Sequence, residues 1–144
     1  MSIQQLSVFL ENKPGKLSEM TACLAANQID LRALSLAETN DFGIARIIVD
    51  DVAKAEEILK EGNFITKRSN VLAFAVPDEP GGLNRLLKVF NEANVNIVYM
   101  YAFLGGKEKR CAYLIFRVSD TAASEAALVA RGLVPLTQDQ IASI

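Results

Sequence analysis

The sequence predicts an α+β protein of two β-α-β-β-α-β units in tandem, each an antiparallel sheet with its helices on one face. Three observations carry this prediction. The 144-residue chain matches itself at an offset of 66 residues, so that Pro14-Gly15-x-Leu17 falls on Pro80-Gly81-x-Leu83. Before each Pro-Gly pair the apolar residues alternate, which is the period of a half-buried strand. After it they recur at i, i+3, i+4 and i+7, which is one face of a helix. The repeat sets two domains, 1–69 and 70–144. Arg68-Ser69-Asn70 is the boundary, and nothing there resembles a flexible linker, so the halves are expected to sit against each other.

In the first strands Leu6, Val8 and Leu10 match Leu72, Phe74 and Val76. In the first helices Leu17, Met20, Thr21 and Leu24 match Leu83, Leu86, Leu87 and Phe90. Polar turns at Asn27-Gln28 and at Asn94 stop these helices. Second strands follow over Ile29–Glu38 and Val95–Leu104. The copies then differ by three or four residues: the first turns at Asn40-Asp41, the second at the longer Gly105-Gly106-Lys107-Glu108-Lys109. Third strands span Gly43–Val49 and Cys111–Val118 and run into Asp50-Asp51 and Asp120, which are natural helix N-caps. The second helices are predicted over about 51–61 and 121–131, with Gly62 and Gly132 as C-cap glycines. Short fourth strands are expected at Phe64–Arg68 and Val134–Thr137, and one helical turn within Gln138–Ile144.

This order is ferredoxin-like. On the third strands Ala45, Ile47 and Val49 match Leu114, Phe116 and Val118 and are expected to face the helices. Ile44, Arg46 and Ile48 match Tyr113, Ile115 and Arg117 on the other face, and strand two of the second copy adds Tyr99, Tyr101 and Phe103 on one face and Val98, Met100 and Ala102 on the other. Both faces read as largely apolar. A unit of about 70 residues does not leave so apolar a face in water, so pairing of the units or a homodimer is expected to cover it.

Composition narrows the function classes. The net charge is −2 and the pI about 5.2, which argues against a nucleic-acid or anionic-membrane footprint. No apolar run approaches the ~18 residues of a membrane helix, and the opening Met1-Ser2-Ile3-Gln4-Gln5 does not read as a signal peptide. A cytoplasmic location is therefore expected, with Cys23 and Cys111 as reduced core residues. There is no histidine, which removes the commonest general base and transition-metal ligand. No metal or cofactor is predicted.

The Pro-Gly turn is the most informative motif. Asn12-Lys13-Pro14-Gly15 and Asp78-Glu79-Pro80-Gly81-Gly82 each join the first strand to the first helix. As a plain turn, Asn12 or Asp78 caps the helix, Pro fixes φ and Gly permits the bend. A functional reading adds that the first helical N–H groups, Gly15 to Leu17 and Gly81 to Leu83, hold a carboxylate, with Asn12 or Asp78 near an ammonium group.

With the Asp30-Leu31 and Asn96-Ile97 openings of the second strands and the Asp-started second helices, these turns resemble the ACT domain, the ligand-sensing module of amino-acid metabolism, twice over. The resemblance implies that a small amino acid binds where two units meet. It implicates Asn12, Pro14, Gly15, Lys16 and Leu17 with Val95, Asn96 and Ile97. A mirror site uses Asp78, Pro80, Gly81, Gly82 and Leu83 with Ile29, Asp30 and Leu31. Asn12 stands where Asp is commoner, and Lys16 where the second copy has Gly82, so the two sites are expected to differ.

Two other classes share the fold order. Lys109, Ala112, Tyr113, Leu114 and Phe116 fit part of an RNA-recognition signature, but Arg110 replaces its Gly and Cys111 a base-stacking aromatic. Acylphosphatase-like chemistry wants an Arg in the turn. The first turn offers Lys16 but no Arg and the second no basic residue, and without His no Ser/His or Cys/His pair exists. The sequence therefore reads as a non-catalytic regulator of amino-acid metabolism that binds a small amino acid or similar carboxylate. It is expected to be a homodimer with a possible metabolic-enzyme partner, and to bind neither nucleic acid nor membrane. The alternative reading is a ligand-free regulatory or structural subunit of an amino-acid biosynthetic enzyme.

Overall fold

In the computed structural model, residues 2–39, 41–104 and 110–144 are described. Asn40 of the first predicted turn, the whole Gly105-Gly106-Lys107-Glu108-Lys109 turn and the side chain of Leu104 lie outside the described residues. Gln4–Ser69 forms one compact unit and Asn70–Ile144 the body of a second.

The first unit contains β1 (Ile3–Glu11), α1 (Lys16–Ala26), β2 (Leu31–Glu38), β3 (Phe42–Val49), α2 (Val52–Glu61) and the opening of β4 (Ile65–Pro77). β3 lies between β1 and β2 and is antiparallel to both, with Ile47 opposite Leu6 on one side and Leu34 on the other. Strand alternation then puts Leu6, Val8, Ala45, Ile47 and Val49 on one face, where they pack against Met20 and Leu24 of α1 and Ala55 and Leu59 of α2. The second unit repeats this with the rest of β4, α3 (Gly82–Glu92), β5 (Ile97–Leu104), β6 (Cys111–Val118), α4 (Thr121–Val129) and α5 (Gln138–Ala142). Here β6 is the middle strand, and Leu114, Phe116 and Val118 face Leu86 and Phe90 of α3 and Leu128 of α4. The third-strand facing sets are those predicted.

The cores differ in filling. Phe74, Phe90 and Phe116 form a ring cluster with centroids 4.6 to 6.2 Å apart. Val8, Leu24 and Ile47 occupy the matching places in the first unit. The opposite faces differ as well. In the first unit Ser7, Arg46 and Ser35 form a polar row across the sheet. In the second, Ala73, Ile115 and Tyr101 stand in register, and Phe103 stacks on Tyr113 at 5.2 Å. In the first unit this row interrupts a face that is otherwise apolar, with Phe9 opposite Ile44 and the buried Ala33 opposite the buried Ile48.

Several boundaries are corrected. The second strands begin at Leu31 and Ile97, two residues later than predicted. Gln28 and Asn94 adopt positive φ, so that the Ile29 and Val95 amides turn back to the Leu24 and Phe90 carbonyls and close α1 and α3. Gly62 is the C-cap of α2 at an ordinary φ of −78°, and Asn63 takes the left-handed place, whereas Gly132 takes it after α4, which ends at Val129 rather than near 131. The predicted fourth strand Phe64–Arg68 is the opening of β4, set beside β1 where Arg68 Nη1 donates to Gln4 Oε1 at 3.0 Å. Phe64 stays behind to pack on the first core.

Val134–Thr137 is not a strand. One ladder-like bond remains, Leu136 N to Ala73 O at 2.8 Å. Pro135 has no N–H to donate, and Thr137 turns the chain into α5 with a capping box to Gln140. Cys23 packs at the edge of the first core, but Cys111 is half-buried at the start of β6 and belongs to neither core. Among the described residues no helix is long and apolar enough to cross a membrane.

Phe116 is fully buried within the ring cluster. Phe116→Ala should cost about 3–5 kcal/mol, measured as a lower midpoint in denaturant unfolding. Ile47→Val, a smaller deletion at the matching place, should cost about 0.5–1.5 kcal/mol.

Candidate functional site

Each first strand ends in the same turn. Pro14 and Pro80 preset φ, and Gly15 and Gly81 follow at φ 86° and 87°. Lys16 N donates to Lys13 O at 3.4 Å and Gly82 N to Glu79 O at 3.1 Å. A Pro, then a glycine at positive φ, then an i to i+3 bond is the pattern of a type II turn. Gly15 and Gly81 are therefore the N-caps of α1 and α3, and neither helix has a side-chain cap. This corrects the expectation that Asn12 and Asp78 cap: the Pro-Gly turn stands between each Asx and its helix. It also removes the Lys16 and Gly82 amides from the predicted anion cradle, since the turn uses them. Among the described residues the Leu17 and Ser18 amides, and those of Leu83 and Asn84, have no acceptor.

At the first turn these groups border a cavity of about 340 Å³. Asn12, Lys16 and Leu17 line it together with residues from the far ends of β1, β2 and β3. Its apolar lining includes Leu10, Leu36 and Ala37, and its charged lining is Glu11, Lys13, Lys16 and Glu38. Lys13 Nζ lies 2.9 Å from Glu11 Oε2. That hydrogen bond, with the Lys13 charge, holds the Glu11 carboxyl below its usual range and the Lys13 ammonium above its own. Both stay ionised at neutral pH. Lys16 Nζ contacts Glu19 at 3.3 Å. Two cations and two anions around a partly apolar hollow suit a zwitterion.

The second turn is built differently. A Cβ at Gly82 would collide with the Pro77 carbonyl oxygen, so only glycine fits there, whereas Lys16 is accommodated at the matching place. Arg85, one helical turn on, pairs with Glu79 and brings Nη1 to within 3.2 Å of where a Gly81 side chain would begin. The second turn thus does carry a basic group, contrary to the sequence reading. The signal was available, since Glu79 and Arg85 flank a turn that folds the chain back on itself.

A family model described as an ACT domain pair matches residues 1–144. The chain belongs to the ACT domain pair family. A crystal structure of a protein from Bacteroides thetaiotaomicron is 35% identical over 100% of this chain and 98% of that one, with a TM-score of 0.91. The regulatory subunit of aspartate kinase from Thermus thermophilus, in its ligand-free form, is 15% identical over 90% of both chains with a TM-score of 0.64. An aspartate kinase from Synechocystis aligns over 94% of this chain and 26% of its own length, 19% identical with a TM-score of 0.59. No curated protein matches the sequence.

The strand-two openings of the two ACT units are pinned to the ends of their third strands. In the first, Asp30 N donates to Asp50 Oδ1 at 3.1 Å, Asp50 N to Asp30 O at 3.2 Å, and Arg32 pairs with Asp30 at 2.6 Å. In the second, Asn96 Nδ2 donates to Ser119 Oγ at 2.8 Å and Ser119 N to Asn96 O at 3.2 Å. Ile29 is buried, Leu31 and Ile97 lie half-buried at the strand starts, and Val95 and Asn96 line a separate cavity inside the second unit. Pro14, Gly15, Asp78, Pro80, Gly81 and Leu83 are exposed, and Gly82 is buried. Sequence reasoning did not single out Glu11, Lys13 or Glu38: Lys13 lies in the turn and Glu11 just before it without a counterpart in the second copy, and only Glu38 is brought there by the fold, at the end of β2. Among the described residues no cluster of three or more His, Cys, Asp or Glu side chains is placed to hold a metal ion.

Asp78 caps nothing, so Asp78→Ala should leave stability within about 0.5 kcal/mol of the parent. Gly82→Ala forces a backbone clash and should cost about 1–3 kcal/mol. Thermal unfolding of both variants tests the turn geometry directly. A large loss in Asp78→Ala would restore the capping role.

Proposed function

We propose that this ACT pair is a non-catalytic regulatory protein that binds a small amino acid, or a similar carboxylate, at the seam between ACT units. In this reading Asn12, Pro14, Gly15, Lys16 and Leu17 face Val95, Asn96 and Ile97 of a neighbouring unit. The mirror set is Asp78, Pro80, Gly81, Gly82 and Leu83 with Ile29, Asp30 and Leu31. The ligand favours the arrangement of units that its site requires, and acts by shifting that population.

The observation that carries the reading is the first turn. Amides without acceptors at the start of α1 stand beside Lys16 on a hollow lined by both signs of charge. A carboxylate is stabilised by the amides, the helix dipole and the lysine together. Glu11 and Glu38 are the acceptors for an ammonium group. The fold shared with the Thermus aspartate kinase regulatory subunit supports a regulatory role and a metabolic-enzyme partner. Leu34 and Leu36, 42% and 53% exposed on the helix side of the outer strand β2, support a homodimer. A cytoplasmic setting fits a sensor of free amino acids.

A thermal-shift screen of the common amino acids tests this. The true effector should raise Tm in proportion to ln(1 + [L]/Kd), and silence across the set would favour a ligand-free subunit. Lys16→Glu should weaken the effector at least about tenfold by calorimetry. The exposed Lys16–Glu19 pair contributes little, so the variant should keep its stability within about 1 kcal/mol. Unchanged affinity in Lys16→Glu would move the ligand away from the first turn. Light scattering should give twice the 15.7 kDa chain mass at micromolar concentration.

A further inference from the structure

The second unit holds a cavity of about 350 Å³ between the end of α3 and the start of α4, at the opposite end of β6 from the Pro-Gly turn. Small side chains make it: Ala93, Ala123 and Ala127 form much of its wall. Its one charged lining residue is Asp120, whose Oδ1 accepts from Ala123 N at 3.1 Å. Ser124 also lines it and is 9% exposed.

The first unit offers a comparison, because there a side chain of its own reaches across the equivalent place. Counting from the caps Asp51 and Asp120, Lys54 stands where Ala123 does, Ala55 where Ser124 does and Ile58 where Ala127 does. Lys54 Nζ reaches back to the Asn27 carbonyl at 2.9 Å, and Ile58 joins the core. Asn27 is the counterpart of Ala93 in the repeat. In the second unit the long side chains are gone, and the Asp120 carboxylate and the Ser124 hydroxyl line the hollow.

We propose that this cavity binds a small molecule with a primary ammonium group on a short aliphatic body, taking the place that the Lys54 side chain fills in the first unit. The ammonium meets the Asp120 carboxylate, the Ser124 hydroxyl and the Ala93 carbonyl, and the aliphatic part lies against Ala123 and Ala127. A carboxylate headgroup is disfavoured, because no cation lines the cavity and Asp120 faces it. Arg131, the nearby cation, is engaged elsewhere: it donates to the Glu92 and Ala127 carbonyls at 3.1 Å and ties α3 to α4. The site is independent of the amino-acid site at the first turn.

The test is an NMR titration of the ¹⁵N-labelled full chain with n-propylammonium chloride, with sodium propionate and sodium chloride as matched controls. Propylammonium should give saturable shifts at the Asn96, Ser119, Ala123 and Ser124 amides, and propionate should not. Ala123→Lys supplies the tethered ammonium of the first unit, and Ala127→Leu fills the opposite wall. Each should weaken the propylammonium titration at least about tenfold, and Ala123→Lys should also raise Tm. Equal shifts from propionate, no saturable shift from propylammonium, or an unchanged titration in both variants would overturn the proposal.

Discussion

Each unit depends on one backbone conformation that only glycine adopts without strain. At Gly15 and Gly81, φ near +86° reverses the chain within a single turn as it leaves the first strand. The reversal delivers α1 and α3 to the face where Leu6 and Val8, or Leu72 and Phe74, present their side chains. A side chain forced into that conformation would cost roughly 1–2 kcal/mol and loosen the angle at which helix meets sheet. The core, the order of the elements and the exposed helix start all follow from it. The same turn brings the positive end of a helix dipole to the end of a strand, where neighbouring strands also end and contribute charged side chains. A structural requirement of the fold and a place suited to an anion thus coincide, twice in one chain.

Because the two backbones repeat, the differences between the units lie in their side chains. One core is aliphatic and the other is built on three phenylalanines in mutual contact. Lys16 projects at the first turn, and Gly82 lies flat against the Pro77 carbonyl at the second. A lysine at position 82 is excluded by the backbone, so the second turn receives its positive charge from Arg85, where it is already paired with Glu79. The first turn offers a hollow with charges of both signs, and the second offers a closed ion pair.

Strand and helix identities were legible because the alternation of Ala45, Ile47 and Val49 and the helical spacing of Leu17, Met20 and Leu24 report burial directly. Ends were less legible. Ile29 and Val95 read as strand because they are apolar and β-branched, yet each closes a helix through a backbone bond that composition does not encode. Val134–Thr137 looked like a fourth strand by analogy with the first copy, but Pro135 and the Thr137 cap favour a turn into α5. Asn12 and Asp78 looked like caps by residue type, and their actual distance from the helix depends on where the turn closes. Of the site, the glycines and Lys16 were visible as a recurring motif. Glu11 and Lys13 adjoin that motif but do not recur in the second copy, and Glu38 joins them only once the end of β2 is brought to the same end of the sheet.

Backbone amides at a helix start recognise a carboxylate and nothing else about the molecule that carries it. Any discrimination between ligands must come from the side chains that surround the amides, and those are the features in which the two ACT units differ. A duplicated fold with two identical turns would bind one ligand twice. Here the first turn carries Lys16 and the second an Arg85–Glu79 pair, while Lys54 fills in one unit the place that Ala123 leaves open in the other. Substitutions at such positions alter what a unit recognises without touching the glycine that sets its fold. That separation lets one chain hold two units of the same architecture and different chemistry, and positions 16, 82, 54 and 123 are where that chemistry diverges.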